Sequence, residues 1–372
     1  MEISPEIVIF ARDFIIFFAI YLTVALSLNL EYGYAGVPNF GKVFSVAAGA
    51  FVVGSIPGRI VAWFSGIGAG LDYIDDNTAI VTEVNQVLEQ APLTGVTIFI
   101  VTLAVAGIVG AVLGLVACYP AIRLREDYLA ITLLAMGEAV QVIGYNYRPI
   151  IKGNIGVLVP DPFKWAADLR YAVFAVFIVG ICLLALFYVE RLVRSPLGRM
   201  LRAIRDNENV AESLGKDVTR IRMRTIIVAS VIGSIAGALD AFKGGGVIST
   251  SYRRGSWTFW PWLIVVLGGP ANNTGVVLGT FVFTALRRFI DYYKGQLGPF
   301  LPFSVVWLEP LLFGVMIILI QMYRPEGIMK EKPTPTLSRS RLRRLISKRE
   351  GETDSPPDMS EEETAGRSGT ID

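Results

Sequence analysis

The chain has 372 residues and a net charge of only +2, while hydrophobic residues make up 53% of it and charged residues 18%. A mean hydropathy of +0.54 lies outside the range of most water-soluble domains, so the composition indicates an integral membrane protein. The chain contains no histidine and two cysteines, Cys118 and Cys182, both within apolar sequence. These counts argue against haem, histidine-based catalysis, most catalytic zinc sites and a disulfide framework, and we expect neither a metal nor a cofactor.

Apolar runs close to membrane-spanning length recur along the chain. About twenty apolar residues cross a bilayer core of about 30 Å as a helix. The runs cover residues 8–30, 43–64, 93–118, 129–145, 171–189, 225–242, 257–267, 276–290 and 305–323. Because lipid offers no partner to unpaired backbone groups and no alternating strand pattern is visible, we predict an all-α, polytopic integral membrane fold of about 8–10 transmembrane helices. The run 257–267 is short, which favours broken or half-crossing helices.

Glycine-rich segments adjoin two of these runs. Gly33, Gly36 and Asn39 follow the first run, and Gly268 and Gly269 separate two later ones. Glycine at membrane depth indicates close helix packing or a broken helix that lines a transport path, and the sequence leaves both roles open. The segment GVPNFGKV (36–43) fits a phosphate-binding loop only in part, because it lacks the Ser or Thr that holds magnesium. We therefore expect no ATP hydrolysis by this chain itself.

One carboxylate interrupts the fourth run. Glu138 lies in mid-run, with Gln141 about one turn further along. A charge at membrane depth is costly and usually faces a partner or a wet cavity. Glu138 is thus either paired structurally with an arginine such as Arg123 or Arg125, or placed along the path of a substrate.

Residues 190–224 form the one long polar interruption of the chain. Ser195 and Pro196 are typical of a helix start, and Gly215 is typical of a helix end. We predict one amphipathic helix between them, with an i,i+4 pair of Arg202 and Asp206 and an i,i+3 pair of Arg205 and Glu208. Such a helix either lies on the inner membrane surface or inserts into the groove of a partner. Its apolar stripe comprises Met200, Ala203, Ile204, Val210, Ala211 and Leu214, and Arg199 lies on the opposite face.

The charge distribution predicts an orientation. Basic residues concentrate at 123–125, 190–224 and after the last run, whereas the loop 65–92 is acidic. The positive-inside rule then places the N-terminus outside and the C-terminus in the cytoplasm, although the loop 148–170 carries basic residues on the outer side. Residues 331–372 have no periodic apolar positions, so we predict a disordered cytoplasmic tail after a transmembrane domain of residues 1–330.

Four segments together resemble a known family. The run SPLGRMLRAIRDNENVAESLG (195–215) is similar to the cytoplasmic signature of branched-chain amino acid ABC transporter permeases. The runs LNLEYGYAGVPNFGKVFSVAAGAFV (28–52) and VVLGGPANNTGVVLGT (265–280) resemble two glycine-rich segments of that family. The run YPAIRLREDYLAITLLAMGEAVQVI (119–143) resembles the hallmark of the LivM-type subunit as distinct from the LivH type. Lys42 is an unusual charge for its segment, and Glu126 stands where the family usually has glycine.

The resemblance implies a permease subunit of the prokaryotic cell membrane that imports branched-chain amino acids and is not itself an enzyme. Its implied partners are a LivH-like second permease, two ABC ATPase subunits and an extracytoplasmic substrate-binding protein. Residues 190–224 would be the coupling loop, in which Arg199, Ala203, Ile204, Arg205, Val210, Ala211, Leu214 and Gly215 would seat in the ATPase. Related permeases leave urea, short amides or another amino-acid-like solute as alternative substrates. A secondary transporter or channel is a further alternative, but it would not need the helix 195–215. Nothing in the sequence indicates binding of nucleic acid.

Overall fold

The computed structural model describes residues 5–124, 126–297, 304 and 307–331. Its α-helices, numbered in chain order, are α1 (Pro5–Leu28), α2 (Val43–Ser55), α3 (Pro57–Ser65), α4 (Asn77–Gln90), α5 (Pro92–Arg123), α6 (Glu126–Asn146), α7 (Arg148–Ile151), α8 (Arg170–Arg194), α9 (Pro196–Asp206), α10 (Glu208–Ser213), α11 (Val218–Gly244), α12 (Trp260–Gly268), α13 (Asn273–Leu297) and α14 (Leu308–Tyr323). Helix α1 continues as a π-helix (Asn29–Tyr34), and a second π-helix (Gly255–Phe259) leads into α12. The 3₁₀ turns are Lys164–Leu169 and Ser249–Ser251, and β1 (Val157–Leu158) pairs antiparallel with β2 (Gly246–Val247).

Local sequence explains several helix ends. Helices α3 and α5 begin with proline at their first position, where the missing N–H has no partner to lose. The side chain of Asp217 accepts from Arg220 N (2.9 Å) and so caps the start of α11. Helices α3 and α11 end at Gly66 and Gly245, whose φ angles of 67° and 64° suit glycine best.

Membrane-spanning helices dominate the described residues. Six helices are long and apolar enough to cross a bilayer: Ile7–Tyr34, Val43–Ser65, Pro92–Pro120, Tyr128–Asn146, Lys164–Arg194 and Val218–Gly244. The segments Gly255–Gly268 and Asn273–Tyr293 form a pair bent by 120°, and Leu308–Tyr323 is a shorter apolar helix. The predicted all-α polytopic fold is confirmed. The short run 257–267 belongs to the bent pair, where Gly269 and Pro270 interrupt the helix.

Small residues let the central helices α2, α5 and α11 pack closely. Gly49 of α2 lies against the backbone oxygen of Ser234, so a Cβ at Gly49 could not be accommodated. The hydroxyl of Ser234 donates to Ala106 O of α5 (2.6 Å), and the hydroxyl of Ser27 in α1 donates to Ala229 O of α11 (2.7 Å). Contacts of this kind bring membrane helices together where apolar burial provides no driving force between them.

The two ends of the bundle carry different segments. Near the start of α1, the Arg12 guanidinium lies 4.6 Å from the ring of Tyr171, in the first turn of α8. Beyond the end of α1, Gly33 O accepts from Arg205, which follows the end of α8. The start of α1 and the segment 196–215 therefore lie at opposite ends of the bundle.

The loops 65–92 and 148–170 lie together at the end where α1 starts. Lys152 Nζ donates to Asp75 O (3.0 Å) and is 3.4 Å from its carboxylate. Asn77 Oδ1 accepts from Leu158 N (2.6 Å), which ties α4 to β1. Lys152 of the second loop thus forms an ion pair with Asp75 of the first. Of the predicted tail 331–372, only Glu331 lies among the described residues.

Candidate functional site

The segment 195–215 folds as two helices instead of the single helix that we predicted. The hydroxyl of Ser195 accepts from Leu197 N (3.2 Å), and Pro196 takes the first position of α9. Asn207 then leaves helical geometry (φ −160°, ψ 103°), and its side chain accepts from Val210 N (3.1 Å) to start α10. The break occurs because asparagine stabilises a helix start better than a helix interior.

The segment ends at Gly215. Its φ of 74° is left-handed, its N–H donates to Glu212 O (2.8 Å), and Lys216 N donates to Ala211 O (3.1 Å). This pair of bonds is the Schellman arrangement, in which glycine adopts the left-handed conformation without a Cβ clash.

The predicted apolar stripe divides into two surfaces. Ile204 and Ala211 are buried against other residues of this chain, together with Leu201. Val210 and Leu214 are 53% and 72% exposed, and Ala203 and Arg199 are also exposed. Ile204 and Ala211 therefore anchor the segment to its own bundle. The surface available to a partner is formed by the exposed residues just named.

Arg205 connects α9 to the end of the first span. Its Nη1 donates to Gly33 O (2.7 Å), and its Nη2 donates to Glu331 (2.8 Å) and Asp206 (3.0 Å). Burial opposes the charged form of Arg205, yet the hydrogen bonds and charges of Glu331 and Asp206 outweigh that effect, so the pKa of the guanidinium is raised. Arg202 also forms an ion pair with Glu331 (3.2 Å).

The predicted pairs along the helix are replaced by these tertiary ones. Arg202 pairs with Glu331 instead of Asp206, and Glu208 pairs with Arg222 of α11 (2.7 Å) instead of Arg205. The break at Asn207 removes the i,i+3 geometry, because Glu208 begins a new helix. Glu331, which the sequence assigned to the tail, is thus part of the site.

A polar junction surrounds the contact between Arg205 and Gly33. We define this junction as Asn29, Gly33, Arg205, the bend 269–273 and Glu331. Asn29 Oδ1 accepts from Ala271 N (2.9 Å), and Asn29 Nδ2 donates to Asn273 Oδ1 (3.0 Å). Asn272 Nδ2 donates to Lys330 O (2.8 Å), which attaches the segment before the tail. The junction therefore satisfies backbone and side-chain groups where the first span and the bent pair leave regular α-helix.

Four of the candidate path residues are packing glycines around this junction. A Cβ on Gly33 would lie 2.5 Å from Ala271 N, and one on Gly36, whose φ is 70°, would lie 2.9 Å from Arg205 Cγ. Gly268 lies against the backbone of Gly275, and Gly269 (φ 107°) lies against Met329 O. Their surroundings favour close packing, the first of the two roles that the sequence left open.

Asn39 belongs to a buried ionic cluster beside the junction. Its Nδ2 donates to Glu31 Oε2 (3.0 Å), which is also 3.0 Å from Lys42 Nζ. The side chains of Glu31 and Lys42 are fully buried, and Lys42 also donates to Ala229 O (3.2 Å). The unusual charge at Lys42 is thus compensated by a carboxylate of the π-helix that ends the first span.

Glu138 lies apart from the junction. Its carboxylate is 2.8 Å from Arg254 Nε, and these side chains are 40% and 42% exposed. Gln141 O accepts from the hydroxyl of Ser249 (2.9 Å), so two contacts join α6 to the segment that leads into α12. The sequence suggested Arg123 or Arg125 as the partner of Glu138, but the structure does not describe the side chain of either arginine.

Sequence reasoning missed three residues that complete these sites: Asn29, Arg254 and Glu331. Asn29 carried a usable signal, since it is a polar side chain at the end of an apolar run. Glu331 carried no such signal, because it lies beyond the last run among other polar residues. Arg254 carried none, because its distance from Glu138 along the sequence gives no indication of contact. Among the described residues, no group of three or more His, Cys, Asp or Glu side chains could hold a metal ion.

Comparison with known proteins places the chain in a family. The profile of the family described as "Branched-chain amino acid transport system / permease component" matches residues 10–321. The probable branched-chain amino acid transport permease protein LivM of Methanocaldococcus jannaschii is 40% identical over 325 residues, which cover 87% of this chain and 94% of the relative. The high-affinity LivM permease of Escherichia coli is 25% identical over 335 residues, which cover 83% and 68%. The probable LivH permease of M. jannaschii is 23% identical over 351 residues, which cover 88% and 94%.

No solved structure matches the chain. The family profile nevertheless covers most of the chain, and a LivM relative is 40% identical over nearly its whole length. The resemblance noted in the sequence is confirmed: this multi-pass membrane protein belongs to the branched-chain amino acid transport permease family, as a LivM-type member.

Proposed function

We propose that the chain is one of two permease subunits in an ABC importer that takes up leucine, isoleucine and valine. In this proposal a LivH-like permease is its membrane partner, two ATPase subunits hydrolyse ATP, and an extracytoplasmic binding protein delivers the substrate. The names of its LivM and LivH relatives support the substrate class and the second permease. The chain itself would contribute the transmembrane domain 1–330 in the cell membrane, with its N-terminus outside and the tail 331–372 in the cytoplasm.

The observation that carries the proposal is the structure of the segment 195–215. A helix that merely rested on the membrane would bury its apolar side in lipid. Here part of that side is buried within the chain, Arg205 bonds to the end of the first span, and Val210 and Leu214 remain exposed in a polar segment. An anchored segment with exposed apolar residues suits a helix that inserts into a partner groove. We assign this role to the coupling loop 190–224, with an ATPase as partner.

The experiment introduces a charge into the exposed part of this surface. Leu214→Asp and Val210→Asp should abolish co-purification with the ATPase, because an uncompensated carboxylate in a desolvated apolar contact costs several kcal/mol. Thr219→Asp is the matched control, since it adds the same charge at an exposed position of the adjacent helix α11. Leu214→Asp and Val210→Asp should both leave the yield of folded permease unchanged.

Ala211→Asp is unsuitable for this test, because Ala211 is buried within the chain and its substitution would damage the permease itself. Full ATP-driven leucine uptake by the Leu214→Asp variant would contradict the docking role. Absence of leucine, isoleucine and valine uptake by the wild-type complex would contradict the substrate class.

A further inference from the structure

The ion pair of Glu138 and Arg254 is unusual in its position. Glu138 lies in the candidate span Tyr128–Asn146. At 1.5 Å per residue it is about 15 Å along the helix from Tyr128 and about 12 Å from Asn146. Arg254 immediately precedes the π-helix of the bent pair. Both side chains are roughly two-fifths exposed, so this chain leaves two opposite charges uncovered at membrane depth.

Stability alone does not account for the pair. An exposed ion pair contributes little, and a buried one rarely offsets the desolvation of its two charges. Charged side chains within membrane spans usually face protein or a water-filled cavity, where they mark the path of a polar solute. The other contact between the same elements, from Ser249 to Gln141 O, already joins them without charge.

The geometry of the pair leaves room for a ligand. Arg254 meets the carboxylate through Nε, and no other hydrogen bond of its side chain occurs within the described part of the chain. Its Nη1 and Nη2 groups therefore remain available, and two such groups bind a carboxylate in bidentate fashion. The Oε2 atom of Glu138 is likewise available to accept from an ammonium group.

We propose that Glu138 and Arg254 bind the ammonium and carboxylate groups of an α-amino acid on its way through the membrane. An α-amino acid carries both charges on one carbon, so it can enter between the partners and exchange their mutual contact for two new ones. Neutral solutes such as urea or short amides offer no such exchange. The inference rests on the proposed import function and specifies where the zwitterion is recognised.

The helix face around Glu138 suits an aliphatic side chain. Residues one and two turns away, Ile131, Val142 and Tyr145, are 65%, 55% and 50% exposed and share the face of Glu138. The site would therefore combine one charge of each sign with an apolar surface, as a branched-chain zwitterion requires. A LivH-like second permease opposite this face would complete the enclosure.

The test measures leucine uptake by proteoliposomes containing the complete complex with saturating binding protein. Glu138→Gln, Arg254→Gln and the double variant should each lower the maximal uptake rate about tenfold or more, because each removes a charge-assisted hydrogen bond to the substrate. Arg170→Gln is the matched control, since it breaks a pair with Asp161 (3.6 Å) that is similarly exposed at the start of α8. The control should retain the wild-type rate.

Near wild-type uptake by the double variant would overturn the inference while leaving the import function intact. A wild-type complex that does not import leucine would instead refute the import function. If the variants fail to assemble, Val142→Cys provides a second readout in a protein with Cys118 and Cys182 replaced by alanine. A charged methanethiosulfonate should modify it, and leucine should slow that reaction. Failure of modification in every transport state would refute a water-accessible site at this depth.

Discussion

Replacing Arg205 by alanine tests whether the segment 195–215 controls the polar junction. The change removes the donors to Gly33 O (2.7 Å) and to Glu331 (2.8 Å) while leaving the exposed residues Val210 and Leu214 in place. Hydrogen bonds to charged groups contribute about 1.5–3 kcal/mol each. Since the Arg205 side chain is 24% exposed and the two bonds share one group, we expect a joint loss of about 2 kcal/mol, or roughly a thirty-fold larger open population of the junction.

The variant should dock its ATPase but use it inefficiently. We expect the ratio of ATP hydrolysed to leucine imported to rise in proteoliposomes, because the segment no longer holds the end of the first span. Amide hydrogen exchange should accelerate in residues 29–36, and this measurement does not depend on the transported substrate. Arg220→Ala is the control, because Arg220 forms an exposed pair with Asp217 (65% and 51% exposed) that contributes little.

A double-mutant cycle with Glu331→Gln isolates the contact with the C-terminal segment. Arg205→Ala and Glu331→Gln should be non-additive by about 1 kcal/mol or more, as expected for directly bonded groups. Unchanged exchange in residues 29–36 together with an unchanged ATP ratio in Arg205→Ala would refute the assigned role of the junction.

Three further predictions concern other parts of the chain. Lys42→Met should lower the free energy of unfolding of the purified permease by about 3–5 kcal/mol, because it leaves the Glu31 carboxylate buried without a cation. Lys42→Met combined with Glu31→Gln should recover most of that loss, and equal instability of the double variant would contradict the pairing. Truncation after residue 332 should preserve assembly and uptake within about twofold. Truncation after residue 329 removes Glu331 and should lower uptake. Equal uptake by the two truncated proteins would contradict the role of Glu331 in the junction. Cysteines at Ser213 and Gln86, both exposed, should react with an impermeant maleimide from opposite sides of the membrane, and reaction from one side would refute the proposed orientation.

Hydropathy predicted the spans because each long apolar run must satisfy its backbone within itself in lipid. The same pattern located the bent pair, since the run 257–267 is too short to cross and is followed by Gly268-Gly269-Pro270. Helix ends were predictable where one residue determines them. Pro196 starts α9 and Gly215 ends the segment after α10 because their backbone preferences act locally.

The break within the segment 195–215 was also encoded, but by a weaker signal. Asn207 followed by Glu208 is a favourable helix start, with an acidic residue in the first turn. The sequence places this signal inside a continuous apolar periodicity, which predicts a single helix. The capping interaction prevails because Ile204 and Ala211 can both reach the core of the chain on either side of the break.

Tertiary partners of charged residues could not be predicted in the same way. Arg205 is far from Gly33 and Glu331 in sequence, and Glu138 is far from Arg254. Charge type indicates that a partner is needed, but many arginines and carboxylates meet that need. Which of them meet is determined by the packing of α1, α6, α9 and the bent pair.

Periodicity also cannot distinguish a surface that packs within the chain from one that binds a partner. Both need apolar residues at helical spacing, and the stripe of α9 and α10 contains both kinds of surface.

The division of this stripe into a buried and an exposed surface has a mechanical consequence for the proposed coupling. Leu201 and Ile204 fix α9 to the bundle. A movement of α9, or of the exposed residue Leu214 after α10, would therefore also move the residues of the bundle that contact α9. Arg205 bonds to Gly33 at the end of the first span, and Asn29 of the same π-helix bonds to the bend of the bent pair. A displacement of α9 by an ATPase would therefore act on the end of the first span and on the bent pair at once.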